Sequence, residues 1–167
     1  ALMDTLMRRH PRFKDRTVGE PLLRSGEDLV EGTIRAALDL DNSALFVQGP
    51  PGTGKTYTIA GTIVILLQNG YRVGVTSNSH KVVHKVLEEV EKQAAKSRLS
   101  FVGVKKATKD NSETEFKSTH ISTVYRSEDV TRSHRLVGGT TFHFCRDDQR
   151  NAYDYLIVDE AGQVALG

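Results

Sequence analysis

The sequence predicts an α/β fold, in which a mostly parallel β-sheet carries helices on both faces. Short apolar segments such as 72–76 and 155–158 have the length and composition of buried strands. Longer segments with apolar residues at helical spacing, such as 80–96, alternate with these strands. A glycine-rich turn at 49–54 joins a predicted strand to a predicted helix, as the strand-helix units of a parallel sheet require.

Length and composition restrict the chain to one folded domain. Its 167 residues are 38% hydrophobic and 26% charged, which excludes the disordered and fibrous classes. The 23 basic and 21 acidic side chains leave a net charge of +2, so overall charge favours no particular partner. Cys145 is the only cysteine, which excludes an internal disulfide and is consistent with a reducing, cytoplasmic setting. The longest aliphatic run, 63–67, is far below the roughly 20 residues that span a bilayer, so we expect no membrane insertion.

The first half of the chain divides into a polar lead-in and the start of the sheet. Residues 1–43 contain several prolines and glycines, and we expect one short amphipathic helix there, over 27–40. Residues 44–48, Ala-Leu-Phe-Val-Gln, predict the first buried strand. The next helix is predicted over 55–68, because Asn69-Gly70 is a helix stop signal. The predicted domains are therefore the lead-in over 1–43 and a sheet-containing domain over 44–167.

The second half continues the alternation of strands and helices. The predicted elements are a strand over 72–76, a helix over 80–96, and strands over 100–104, 121–124, 135–141 and 155–158. A polar segment over 105–118 predicts a loop or small insertion. If 141–145 is extended, His143 and Cys145 share one face of a strand, which favours a half-buried polar face over a functional site.

A phosphate-binding loop is the strongest functional signal. Residues 49–56, Gly-Pro-Pro-Gly-Thr-Gly-Lys-Thr, fit the pattern G-x-x-x-x-G-K-[ST] between a predicted strand and a predicted helix. Glycines let backbone N–H groups surround phosphates, and the positive end of the helix adds to the attraction. We expect Lys55 to reach the β- and γ-phosphates of ATP, and the Thr56 hydroxyl to bind Mg²⁺. The predicted nucleotide contacts are Gly49, Pro50, Pro51, Gly52, Thr53, Gly54, Lys55 and Thr56.

Two carboxylates follow the last predicted strand. Asp159 and Glu160 come directly after 155–158, at the strand end where open α/β sheets bind ligands. Together with the phosphate loop they favour a nucleotide site, in which Asp159 binds Mg²⁺ and Glu160 positions and deprotonates the attacking water. The alternative is a charged strand end that is only solvated.

These motifs resemble those of superfamily 1 helicases, in the branch with the motif Asp-Glu-Ala-x-Gln that includes Upf-like and Dna-like helicases. The motif is present as Asp159-Glu-Ala-Gly-Gln163, and residues 49–56 have that branch's form of the phosphate loop. Residues 75–80, Val-Thr-Ser-Asn-Ser-His, resemble its motif Ia, and 136–140 resemble the strand before the acidic motif. The sequences of 73–81 and 159–166 are also similar to those of bacterial proteins in which such a helicase follows a RecB-like nuclease region.

The resemblance implies an incomplete RecA-like P-loop ATPase lobe, which couples Mg-ATP hydrolysis to movement along single-stranded nucleic acid, with DNA favoured over RNA. It assigns strand contacts to motif Ia, at Thr76, Ser77, Asn78 and Ser79. Ser79 is equally suited to cap the helix that follows. The resemblance gives Gln163 a catalytic role at the γ-phosphate; the alternative is that Gln163 only caps a turn. Family members complete the site with arginines of a second RecA-like lobe, and this chain ends eight residues after Asp159, so we expect nucleotide binding with poor turnover.

Two other functions stay open at this point. One is a P-loop ATPase or kinase without a nucleic-acid partner, and the other is a binding module in which the nucleotide is structural. Residues 49–100 carry seven basic and three acidic side chains, an excess of positive charge that is suited to face an anion. Within it, the basic residues of the predicted helix are interleaved with acidic ones, which favours a solvated helix face over a surface that follows a nucleic-acid backbone; the basic set is Lys85, Lys92, Lys96 and Arg98. His80 and His84 have metal-ligand spacing, but no third ligand lies near them in sequence, so we expect no metal there.

Overall fold

A computed structural model describes residues 7, 9–17, 19–50 and 52–163. Its contacts divide the chain into two compact units, Ala1–Thr62 and Ile63–Gly167. The described α-helices are α1 (Leu29–Asp39), α2 (Lys55–Gln68), α3 (His80–Lys96) and α4 (Thr141–Phe144). Among the described residues, no helix has both the length and the apolar character needed to cross a membrane.

The first unit contains helix α1, which is held at its N-terminus by a side-chain cap. The carboxylate of Asp28 accepts hydrogen bonds from the backbone N–H groups of Val30 (2.8 Å) and Glu31 (3.2 Å). Such a cap satisfies backbone donors that a helix leaves unpaired at its start. On the helix surface, Arg35 donates to both carboxylate oxygens of Glu27 at 2.6 Å. The predicted lead-in helix is therefore present, two residues shorter at its start and one at its end.

The predicted strand at 44–48 is wrong. The segment has no regular secondary structure, and Phe46 and Val47 are 65% and 49% exposed. A strand exists only where a neighbouring strand accepts its backbone hydrogen bonds, and none of the described strands pairs with this segment. Its apolar composition is therefore not sufficient to make it a strand.

The second unit is built around a parallel sheet of five described strands. In their side-by-side order they are β3 (Ile121–Val124), β2 (Gly103–Lys106), β4 (Leu136–Thr140), β1 (Val73–Ser77) and β5 (Tyr155–Val158). Each neighbouring pair is parallel, and Val73 is in register with Leu136 on one side and Tyr155 on the other. Because all strands run the same way, the segments that follow them meet at one edge of the sheet, which we call the carboxyl edge.

Helices cover both faces at the centre of this sheet. Helix α3 packs against β4 on one face, where Gly138 permits the approach: a Cβ atom there would lie 2.8 Å from Cδ1 of Leu87. The short helix α4 covers the opposite face, where the Phe144 ring would lie 2.7 Å from a Cβ atom on Gly74. The fully buried residues of α3 are Val83, Val86, Leu87, Val90 and Ala94. The predicted α/β class, with a mostly parallel sheet and helices on both faces, is confirmed.

Two boundaries in the sheet differ from the predictions in ways that affect the site. Strand β2 starts three residues later than predicted, so Lys105 and Lys106 lie in the sheet and not in a loop. Its position is set by pairing with β3 and β4 at Gly103, which local apolar patterning does not reveal. The segment after Thr140 is helical and not extended, because the chain turns as it crosses the carboxyl edge. His143 is consequently buried, whereas Cys145 is exposed.

Candidate nucleotide and nucleic-acid site

The glycine-rich loop belongs to the first unit and is closed on itself. The Thr53 hydroxyl donates to the carbonyl of Pro50 at 2.8 Å. Gly52 and Gly54 have φ values of +80° and +83°, a region that glycine enters without steric penalty. Nothing lies within 4 Å of the position that a Cβ atom would take on either residue. The loop therefore presents its backbone over open space at these two glycines.

Lys55 is held against the carbonyl groups of this loop. Its ammonium group donates to the carbonyls of Gly49 and Pro50, both at 2.6 Å. Helix α2 begins at the same residue, and the N–H of Thr58 is the first to bond back, to the carbonyl of Gly54 at 3.0 Å. The first N–H groups of the helix and a lysine charge thus lie at one place, which suits an anion. Thr56 is half-buried in the first turn, and Pro51 lies outside the described residues.

The acidic pair belongs to the second unit, at the carboxyl edge beside β1. The N–H of Asp159 donates to the carbonyl of Thr76 at 2.9 Å, which extends the β1–β5 pairing by one residue. The Asp159 carboxylate accepts the N–H of Glu160 at 2.9 Å. Glu160 is exposed and has a φ value of +54°, a left-handed conformation that is uncommon for a residue other than glycine. Strain of this kind concentrates at functional sites.

Motif Ia lies next to the acidic pair, because Thr76 is in register with Val158. Thr76 and Ser77 are buried, and their hydroxyl oxygens have no hydrogen-bond partner among the described residues. Asn78 is exposed, and Ser79 is half-buried at the N-cap position of α3, where its hydroxyl makes no capping bond. Of the four predicted strand contacts, solvent therefore reaches the side chains of Asn78 and Ser79. Gln163 ends a short 3₁₀ turn after the acidic pair.

Strand β2 carries a buried lysine, Lys105, near the carboxyl edge, which no pattern in the sequence predicts. Lys105 is fully buried, and its ammonium group donates to Nδ1 of His80 (2.7 Å) and to the carbonyls of Lys106 (2.8 Å) and Thr114 (3.4 Å). Burial, and then the charge of Lys106, lowers the pKa of Lys105 to about 8. Burial, and then the charge of Lys105, lowers the pKa of His80 to about 4. The lysine thus ties the start of α3, directly after motif Ia, to the neighbouring β2 strand.

A pocket of about 300 Å³ lies at the carboxyl edge, and the Lys105 partner His80 is one of its lining residues. The last residues of two strands, β2 and β4, and residues that follow β1, β2, β3 and β4 line it, including His80, Lys106, Thr140, Phe142, His143 and Arg146. We call it the carboxyl-edge pocket. Burial, and then the charge of Lys106, lowers the pKa of His143 to about 4, so both imidazoles are neutral at pH 7. No pattern in the sequence marks this pocket, because its residues come from four segments that only the sheet brings together.

Comparison with known proteins adds two findings. A family model described as an AAA domain matches residues 31–166. The chain is similar to the DNA replication ATP-dependent helicase/nuclease DNA2 of Homo sapiens, with 30% identity over 134 residues, and to that of Mus musculus, with 28% identity over 134 residues. Each match covers 75% of this chain and 12% of the relative. The chain therefore spans about an eighth of the length of these relatives.

Proposed function

This chain belongs to the AAA domain family, and we propose that it is the nucleotide-binding core of a helicase-type ATPase that uses Mg-ATP. The observation that carries the proposal is the loop at 49–56. It combines two glycines in left-handed conformation, a lysine ammonium held over the loop, and the first N–H groups of a long helix. These are the groups that bind the phosphates of a nucleotide.

The residues present fit this nucleotide and its metal ion. Nothing lies within 4 Å of a Cβ position on Gly52 or Gly54, and both residues are exposed, so phosphate oxygens have room to approach the backbone there. Thr56 offers a hydroxyl oxygen and Asp159 a carboxylate oxygen, the hard ligands that Mg²⁺ prefers. When bound, Mg-ATP supplies a phosphoanhydride that water can cleave. Lys55 is the residue that we propose to neutralise the phosphate charge.

Besides Lys55, the proposed catalytic residues are Glu160 and Gln163. The Glu160 carboxylate is exposed at the carboxyl edge, where it can hold the attacking water and accept its proton. The backbone conformation of Glu160 and its bond to Asp159 fix the direction in which the chain leaves β5. Gln163 carries an uncharged amide, which can hydrogen-bond both to a phosphate oxygen and to water.

We further propose membership of superfamily 1, in its Asp-Glu-Ala-x-Gln branch. Support comes from the sequence of 159–163 and from relatives whose name contains helicase and nuclease. Since the chain spans 12% of these relatives, movement along single-stranded DNA, a second RecA-like lobe with catalytic arginines, and a nuclease region are proposals about a larger protein. In this assignment residues 44–167 belong to the first RecA-like lobe, and 1–43 lead into it.

Coupling between nucleotide and strand binding tests the proposal. A fluorescein-labelled oligo-dT strand is titrated with the chain, and its fluorescence anisotropy is measured. The titration is done once without nucleotide and once with a non-hydrolysable ATP analogue and Mg²⁺. We expect saturable strand binding whose affinity changes with nucleotide in the wild type and not in Lys55→Ala. Lys96→Ala, at the exposed far end of α3, is the matched control and should behave as wild type.

The alternatives give different results when this titration is combined with calorimetry of Mg-ATP binding to the chain. A P-loop ATPase or kinase without a nucleic-acid partner binds nucleotide but no strand. A module with a structural nucleotide binds the strand with an affinity that does not depend on the nucleotide. A folded chain that binds neither ligand overturns the proposed function.

A further inference from the structure

The carboxyl-edge pocket is a cationic cavity that the nucleotide motifs do not use. Its cations are Lys106 and Arg146, and no carboxylate lies among the described residues that line it. Within the described part of the chain, the Lys106 ammonium makes one hydrogen bond, to the carbonyl of Ala107 at 2.8 Å, which leaves two of its three N–H groups for a ligand. Lys106 therefore supplies a positive charge with free donors to the cavity.

Arg146 is paired in a way that a ligand can displace. Its guanidinium donates to Asp148 at 3.0 and 3.1 Å, and both side chains are about half exposed. An exposed pair of this kind contributes little stability, whereas phosphate accepts the same two parallel hydrogen bonds from arginine. Arg146 also keeps further N–H donors outside the pair. A phosphate in the pocket thus competes with a weak partner only.

His80 adds a neutral donor. Its Nδ1 accepts the ammonium proton of Lys105, so the single ring proton of the neutral imidazole lies on Nε2. His80 lines the cavity and follows Ser79 of motif Ia directly. The pocket is therefore continuous with the predicted strand contacts at the end of β1.

Phe142 gives the pocket an aromatic wall. It is 86% exposed, the most exposed large apolar side chain among the described residues. The neighbouring Phe144 on the same short helix is packed against Gly74, so α4 is anchored while Phe142 projects to solvent. An exposed ring beside cations is the combination with which proteins hold single strands, because bases stack on the ring and phosphates pair with the charges.

We propose that the carboxyl-edge pocket binds one nucleotide unit of single-stranded nucleic acid, with its phosphate on Lys106 and Arg146 and its base stacked on Phe142. This subsite rests on the proposed function and extends it from motif Ia across the ends of β4 and β2. Neither contact reads the identity of the base, so the subsite suits a protein that moves along a strand of any sequence.

Strand binding by variants of the intact chain tests the subsite. Phe142→Ala should weaken binding of a fluorescein-labelled 12-nucleotide oligo-dT strand roughly five-fold or more, because base stacking on aromatic rings contributes that much per base. The same variant should bind an abasic strand as the wild type does. Lys106→Gln and the exposed Arg146→Gln should each reduce the slope of log affinity against log salt by about 0.7 on both strands. Lys96→Gln, about 24 Å along α3 from His80, is the matched charge control.

A tryptophan variant supplies a direct signal of stacking. The chain contains no tryptophan, so F142W introduces a single fluorophore at the proposed contact. Its fluorescence should be quenched by oligo-dT or oligo-rU and not by the abasic strand, with wild-type affinity retained. The DNA and RNA arms identify which strand the subsite takes.

The binding and fluorescence results distinguish failure of the subsite from failure of the proposed function. The subsite is overturned if Phe142→Ala and Arg146→Gln bind the strand with wild-type affinity and salt slope, and if strand binding does not quench F142W. In that case strand binding by the wild type still supports the proposed function. A folded wild type that binds no strand overturns both.

Discussion

The buried Lys105 should make the stability of the protein rise with pH above neutrality. The unfolded chain holds the lysine proton up to the ordinary pKa of 10.5, whereas the folded chain releases it near pH 8. Between these values the unfolded state binds more protons, so the free energy of unfolding increases as pH rises. His80 and His84 face the ammonium group and have lowered pKa values, which leaves Lys106 as the charged neighbour in this range.

The size of the effect follows from the two pKa values. Between pH 7 and pH 9.5 the difference in bound protons integrates to a gain of about 2 kcal/mol in the free energy of unfolding. The full range up to 10.5 would give about 3 kcal/mol, but tyrosine ionisation intervenes there. Lys105→Met keeps the length of the side chain and removes the titrating group. The difference between wild type and variant therefore isolates the lysine.

Urea unfolding followed by circular dichroism at pH 7.0, 8.0, 9.0 and 9.5 measures this difference. We expect the free energy of unfolding of the wild type to gain about 2 kcal/mol on that of Lys105→Met over this range. Lys96→Met, at an exposed position, should show the same pH dependence as the wild type. Parallel pH profiles for wild type and Lys105→Met would refute the conclusion that the ammonium group is desolvated in the sheet.

Three further substitutions test the packing and the loop. Gly138→Ala should lower the free energy of unfolding by about 1–3 kcal/mol, because its Cβ would lie 2.8 Å from Leu87; an unchanged urea midpoint would contradict the close approach of α3. Arg72→Gln should lower it by about 2–3 kcal/mol, since the guanidinium donates to the carbonyls of Thr131, His134 and Ala152; equal thermal midpoints would argue against this clamp. Gly54→Ala should weaken nucleotide binding about ten-fold, since a φ of +83° strains alanine by about 1–3 kcal/mol; wild-type affinity would show that the loop does not keep this conformation when it binds.

Local patterning was sufficient to predict much of the fold. Helix α3 is predicted to the residue, because its apolar positions repeat at helical spacing. That repeat includes four of its five buried residues, and Ala94 is the fifth. Strand β5 is also predicted to the residue, as an apolar run that ends in two acids. The pairing of strands, by contrast, cannot be predicted from the local sequence. Residues 44–48 are almost entirely apolar, like β5, but none of the described strands pairs with them. The position of β2 is set by its pairing with β3 and β4.

In the candidate site, too, contiguous motifs could be predicted from the sequence, whereas contacts between distant segments could not. A contiguous motif predicts the phosphate loop, and two of its glycines, Gly52 and Gly54, adopt left-handed conformations. The burial of Lys105 and the carboxyl-edge pocket could not be predicted, because a hydropathy pattern treats lysine as a polar, exposed residue. Its burial depends on His80 and Thr114, which lie 25 and 9 residues away in the sequence. Assignments that depend on contacts across the sheet therefore needed the structure.

Isothermal titration calorimetry of the chain with Mg-ATP is the most direct test of nucleotide binding at the loop over 49–56. We predict saturable binding to one site, weakened at least ten-fold in Lys55→Ala and unchanged in Lys96→Ala. Circular dichroism of each variant establishes that it is folded. Two results would contradict the assignment of this chain as a nucleotide-binding core. One is a folded wild type that gives no binding heat at millimolar ATP, and the other is a Lys55→Ala variant that binds ATP with wild-type affinity.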